Sequence, residues 1–218
     1  MRGRCFYLFR KMVKCWYRLL PHFSGGLRGF SPNKKTKMKN VWPDKTIYFI
    51  TSFTFAHYPC FKTDEQKQIV LNQIKSLKNK FGCLVSAYSI AINHYHLKIY
   101  LENGMDIPKI KQYLNGGISF NYNKNFKSKY SEFWQSCKVL NIDPEVDQRV
   151  SGYIAGNLLK HKEVGTFNEL LENPFSSYSF MAEKYGEDFA REIVYDVIDI
   201  DESAEGDIDN SKFRRMQS

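Results

Sequence analysis

A chain of 218 residues is long enough for one domain with a real core plus appendages, and it does not demand two. Its 43% hydrophobic and 16% aromatic content excludes a disordered protein, while a net charge of +9 asks for a polyanionic partner or surface. Five widely spaced cysteines with no CxxC pair argue against a zinc knuckle or a redox couple and fit a reducing, cytoplasmic setting.

The charge is unevenly placed, with 12 Lys/Arg in residues 1–45 against Asp44 alone. The first stretch interleaves Arg2, Arg4, Arg10, Lys11, Lys14 and Arg18 with Phe6, Tyr7, Phe9, Trp16 and Tyr17. Those charges interrupt every apolar run before it reaches signal-peptide length, and no segment is expected to span a membrane. Such an arm suits gripping a nucleic-acid strand by charge and stacking, resting on an anionic membrane, or lying ahead of a true start at Met38. The Gly/Ser/Pro/Lys-rich run 24–40 reads as a linker, so 1–41 is predicted to be a basic arm and linker, with the domain over 42–195.

"KTIYFITSFTF" (45–55) is β-branched or aromatic almost throughout, as expected of a central strand. "TDEQKQIVLNQIKSLKNKFG" then takes helical spacing, with Thr63 as N-cap and Gly82 as C-cap. Two strand-like runs, "CLVSAYSIAIN" and "HYHLKIYLEN", abut at Asn93 and can pair antiparallel. A second helix repeats Ile107, Ile110, Leu114, Ile118 and Tyr122 behind Asp106, and 132–142 reads as a fourth strand. This order predicts an α+β, ferredoxin-like antiparallel sheet with helices on one face. An additional helix starts at Pro144 behind an Asp143 cap and packs through Val146, Val150, Ile154 and Leu158. The run 196–210 has seven acids and no base, so 196–218 is predicted to be an acidic, solvated tail.

His94 and His96 alternate with Tyr95 on a strand and so point to one face, which suits two ligands for one metal ion or, equally, two surface histidines. Tyr153 and Asn157 stand at i and i+4 on the extra helix, a phenol and a carbonyl ligand one turn apart; alternatively Tyr153 is one more core aromatic. Gly152 and Gly156 each cost about 1 kcal/mol against Ala in a helix interior, which a close DNA backbone or a shifting helix would offset. Lys138, Arg149, Lys160, His161 and Lys162 are candidate phosphate contacts or plain solvated surface.

The ordered set "NHYHLKIYLENG", "IKQYLNGGISFNYNKNF", "EFWQS", "YIAGNLLKHKEV" and "NPFSSY" resembles the REP-associated tyrosine transposases and their insertion-sequence relatives of the HUH class, over roughly residues 45–180. The resemblance implies that His94 and His96 are the HUH pair, that Tyr153 is the single nucleophile, and that Asn157 completes a divalent metal site for Mg²⁺ or Mn²⁺. Tyr95 stands where a bulky apolar residue is usual, and Leu158 where a proline is usual. The activity implied is metal-assisted cleavage and rejoining of single-stranded, hairpin-forming DNA through a 5′-phosphotyrosine, by a monomer or a homodimer. The competing reading is a ferredoxin-like single-stranded nucleic-acid-binding module without chemistry, which needs stacking aromatics on an open sheet face; a structural zinc protein lacks the ligands.

Overall fold

The structure, a computed structural model, describes residues 42–128, 130, 132–200 and 210–214. The expected basic arm and linker lie outside the described residues. Strand β1 (Thr46–Thr54) leads to helix α1 (Asp64–Phe81), then to β2 (Leu84–Ile90) and β3 (His94–Leu101). Helix α2 (Ile107–Phe126) and β4 (Trp134–Asn141) complete the repeat. The strands form one antiparallel sheet in the order β2-β3-β1-β4, the ferredoxin-like arrangement expected from the element order.

Local sequence accounts for the element ends. Thr63 and Gln66 form a reciprocal capping box, and Gly82 at φ 65° closes α1 in the left-handed region. β1 and β3 are the two inner strands, and consecutive side chains along each are buried, so both faces are covered, which is why β1 is apolar or β-branched at nearly every position. Helices α1 and α2 cover one face, where Ile50, Leu97 and Ile99 meet Ile74, Leu77, Ile110 and Leu114. Tyr95 points into that core. Its hydroxyl donates to Asn115 Oδ1 at 2.7 Å and accepts from Ser52 Oγ at 3.1 Å, so the polar atom that replaces an apolar residue is satisfied. Burial holds its phenol well above the usual tyrosine range.

The additional helix differs from its prediction. It opens as a 3₁₀ turn (Pro144–Val146), continues as α3 (Asp147–Ala155), and breaks at Gly156 before the short α4 (Asn157–Lys160). Asp143 supplies no side-chain cap; its carboxylate pairs instead with Arg214 at 2.6 Å. The predicted packing positions Val146, Val150, Ile154 and Leu158 are all buried. Helices α5 (Phe167–Glu172), α6 (Tyr178–Tyr185) and α7 (Glu187–Tyr195) follow.

Two further expectations are corrected. Gly152 and Gly156 face α7, not a nucleic acid: a Cβ at 152 would overlap Ile193 Cγ2 and lie 3.1 Å from its carbonyl oxygen, and one at 156 would lie 2.5 Å from Val194 Cγ1. The solvated tail expected from 196 is also interrupted, because Val197 and Phe213 are buried against a second apolar cluster with Phe49, Val150 and Tyr153. An acidic composition does not prevent two apolar side chains from docking where the sheet still has apolar surface to cover. Cys60, Cys83 and Cys137 are free thiols. Among the described residues no helix is long and apolar enough to cross a membrane.

Candidate active site

The sheet face away from α1 and α2 is set by register. His94, His96 and Lys98 alternate along β3, and they pair across to Phe53, Thr51 and Phe49 of β1, which pair in turn with Ser136, Lys138 and Leu140 of β4. Residues directly opposite share a face, so Lys138 lies in the same row as His96 and Thr51. Helices α3 and α4 bring Tyr153 and Asn157 to this face.

The imidazoles are held from behind. His96 Nδ1 is 2.9 Å from Thr51 Oγ1, and His94 Nδ1 is 2.7 Å from Asn93 Oδ1. Anchoring both rings through Nδ1 turns both Nε2 atoms toward the helix, the arrangement that outer partners impose on metal-ligating histidines. His94 Nε2 lies 3.1 Å from Asn157 Oδ1. Burial, with His96 and His161 close by, holds His94 well below the usual histidine range, so it is neutral with one proton. With that proton on Nδ1 for Asn93, Nε2 meets the amide oxygen lone pair to lone pair, and Asn157 Nδ2 has no hydrogen-bond partner. Two acceptors converging in a buried site fit a cation between them. Among the described residues no three His, Cys, Asp or Glu side chains cluster as a metal site.

The Tyr153 ring stands 5.6 Å from the His96 ring, and Lys160 Nζ lies 4.7 Å from its centroid and 3.3 Å from its hydroxyl oxygen. The phenol is only 2% exposed. Phe213 packs edge-on against it at 5.4 Å and against Phe49 at 6.5 Å, and Lys160 Nζ also donates to the Ile200 carbonyl. Nearby, Arg149 binds Asp196 through both its side-chain and backbone oxygens, at 3.0 and 3.1 Å. The C-terminal segment therefore covers the phenol and occupies two of the cations expected to meet phosphates.

The family model for IS200-like transposases matches residues 45–157, a span that runs from β1 to Asn157 and takes in both histidines and the tyrosine. The chain belongs to the IS200-like transposase family. As a family member it is a transposase, a DNA-processing enzyme. Its fold is similar to that of a REP-associated tyrosine transposase solved bound to a REP hairpin, with a TM-score of 0.55 and 18% identity over 79% of this chain and 98% of that one. A transposase candidate from Deinococcus radiodurans R1 matches at a TM-score of 0.41 and 17% identity, over 56% of this chain and 95% of that one. Among proteins of curated function, none matches.

Of the transposase's five predicted phosphate contacts, Lys138 is half-buried beside Thr51, and Arg149 and Lys160 are engaged as described. His161 is exposed at the mouth of the site, its ring 4.8 Å from that of His94. Lys162 is exposed at φ 57°. Sequence reasoning missed several supports. Glu163 joins Lys67 of α1 at 2.6 Å and accepts from Ile92 N at 2.8 Å, fixing the turn after α4 against the strand entrance. Ser176 donates to the Ala155 carbonyl at 2.7 Å, holding the end of α3. Its neighbours Phe175 and Ser177 bond along the outer edge of β2, so the "NPFSSY" motif shields an exposed strand edge while it pins the helix. Asn93, the residue before the first histidine, was visible in the sequence only as a strand junction.

Proposed function

We propose that this transposase cleaves and rejoins single-stranded DNA with Tyr153 as nucleophile and His94, His96 and Asn157 as holders of a Mg²⁺ or Mn²⁺ ion. The observation that carries the reading is convergence: two anchored imidazoles, an amide oxygen and a phenol, from a strand and a helix about 60 residues apart, meet on one covered sheet face. A divalent ion bound there would polarise the scissile phosphate and offset charge on its oxygens. Tyr153 Oη attacks phosphorus, forming an O–P bond as the bond to the 3′ oxygen breaks; the phenol proton is lost and the leaving oxygen gains one. The products are a 5′-phosphotyrosine and a 3′-hydroxyl, and a second 3′-hydroxyl reverses the step to join strands. Lys160 sets a positive charge beside the oxygen where negative charge develops. Neutral His94 keeps a lone pair for the ion.

Because Tyr153 is 2% exposed, a phosphate reaches it only after Phe213 and the Ile200 backbone move away. The non-catalytic alternative needs an open aromatic sheet face, whereas Phe49 and Phe53 on this face are buried. A hairpin-bearing DNA is the expected substrate, in line with the hairpin carried by the REP-associated relative. Incubation of the protein with a labelled hairpin-bearing single strand and Mn²⁺ yields a covalent adduct on a denaturing gel, and Tyr153→Phe abolishes it. An adduct that survives that substitution refutes the assignment.

A further inference from the structure

Beyond the buried site, an aromatic groove lies at the far end of β1. Phe55, Tyr58 and Tyr130 are 48%, 52% and 38% exposed, unusual for large rings grouped in one place. Two adjoining clefts, of about 560 and 180 Å³, share Phe55, Tyr130, Glu132 and Phe133. The backbone that presents Phe55 is strained, with Ala56 at φ 51° and His57 at φ 53°, both in the left-handed region that non-glycine residues rarely adopt.

The groove, which Ser119 and Asn123 of α2 also line, lies at the same end of the sheet as His94, and packed side chains link the two. The Phe53 ring stacks on His94 at 4.8 Å, and His57 meets Phe53 at 4.9 Å. Asn93, which anchors His94, donates to the His57 carbonyl at 3.2 Å. Phe213 instead packs at Phe49, two side-chain rows away along β1 from Phe53.

We propose that this groove is a stacking platform for the unpaired bases next to the scissile phosphate, a surface that rests on the strand-cleavage reading above. Its chemistry selects bases over backbone. Glu132 repels phosphate yet accepts from base amino groups, and the rings offer π faces that take any base. Positive charge follows close in the sequence: Lys124 and Lys127, between the cleft-lining Asn123 and Tyr130, are exposed. A strand with bases inward and phosphates outward meets both. Because the groove is clear of Phe213, the strand docks there while Tyr153 is still covered.

The test uses the full chain carrying Tyr153→Phe, so that cleavage plays no part, and two fluorescein-labelled probes: a hairpin with an oligothymidine flank, and the same hairpin with an abasic flank. The parent binds the thymidine probe more tightly. Phe55→Ala and Tyr130→Ala each reduce that difference at least about fivefold, the lower limit for losing one base–aromatic stack. Phe55→Trp retains the difference, and its indole fluorescence is quenched by the thymidine probe and not by the abasic one. Equal binding of both probes by the parent, or unchanged preference in both alanine variants, overturns the platform. So does a shift of the alanine variants from dimer to monomer with DNA affinity intact, which would make the groove a contact between copies. The two readings fail separately: without phosphotyrosine chemistry the wild-type adduct is missing while flank preference remains, and without the platform the adduct forms and flank preference is absent.

Discussion

Phe213→Ala tests whether the C-terminal segment limits access to Tyr153. Phe213 is fully buried and touches both Phe49 and Tyr153. Truncating a buried Phe costs about 3–5 kcal/mol when the core bears the loss. Here the residue belongs to a 3₁₀ turn, Asn210–Phe213, whose other contacts include the Asn210 side chain, which donates to the Asn141 carbonyl at 2.8 Å and accepts from Asp143 N at 3.3 Å, and the exposed Arg214–Asp143 pair. Those contacts are weak anchors, the ion pair contributing about 0–1 kcal/mol. The segment therefore detaches while the sheet stays folded, and about 3 kcal/mol off the closed state raises the open fraction about 10²-fold. Single-turnover adduct formation on the labelled hairpin with Mn²⁺ accelerates by up to that factor, until another step limits. The thermal midpoint of the main transition changes little, because the turn adds little to the cooperative core. A rate equal to or below wild type, with the midpoint preserved, refutes the covering role.

Gly152→Ala, which in a free helix would gain about 1 kcal/mol, destabilises this protein by about 1–3 kcal/mol in urea unfolding, because the methyl meets the stiff Ile193 side chain and its backbone. Glu163→Gln leaves Lys67, whose side chain is 10% exposed, without its anion and costs about 3 kcal/mol by the same measurement. Stability also depends on pH. His94 in the folded chain takes up its proton below the unfolded value of 6.5, so the unfolded state binds more protons in that window and the metal-free thermal midpoint falls as pH drops through 6.5. His94→Asn shows a shallower fall over the same range.

The elements were legible because their signals are local. Thr63 and Gly82 announce both ends of α1, and the alternation of His94 and His96 with Tyr95 assigns faces before any partner strand is known. The convergence of Tyr153 with the histidines was legible through spacing together with the resemblance. Thr51 was not: it supports His96 only because β1 and β3 pair in one register, and 45 residues separate the two. Glu163 and Ser176 were hidden for the same reason, as each acts on a residue 96 or 21 positions away. The two helix glycines were noticed, but their cause lies in Ile193 and Val194, beyond the reach of any helical window.

Those glycines also explain why the four converging side chains can meet at all. Tyr153 lies against His96 and Asn157 against His94, so four residues up the helix correspond to two residues down the strand. One helical step of four covers about 6 Å and one strand step of two about 6.8 Å, close enough for both contacts to form at once if the helix lies flat along β3. Gly152 and Gly156 repeat at the same spacing, one position earlier, on the side that meets α7. With no Cβ there, α7 comes into contact with the backbone and presses α3 and α4 onto the sheet, while Ser176 holds the end of α3 from the β2 edge. Larger side chains at 152 and 156 would lift the helix away from β3 and separate the phenol from His96, so the costly glycines sustain the geometry on which the proposed chemistry depends.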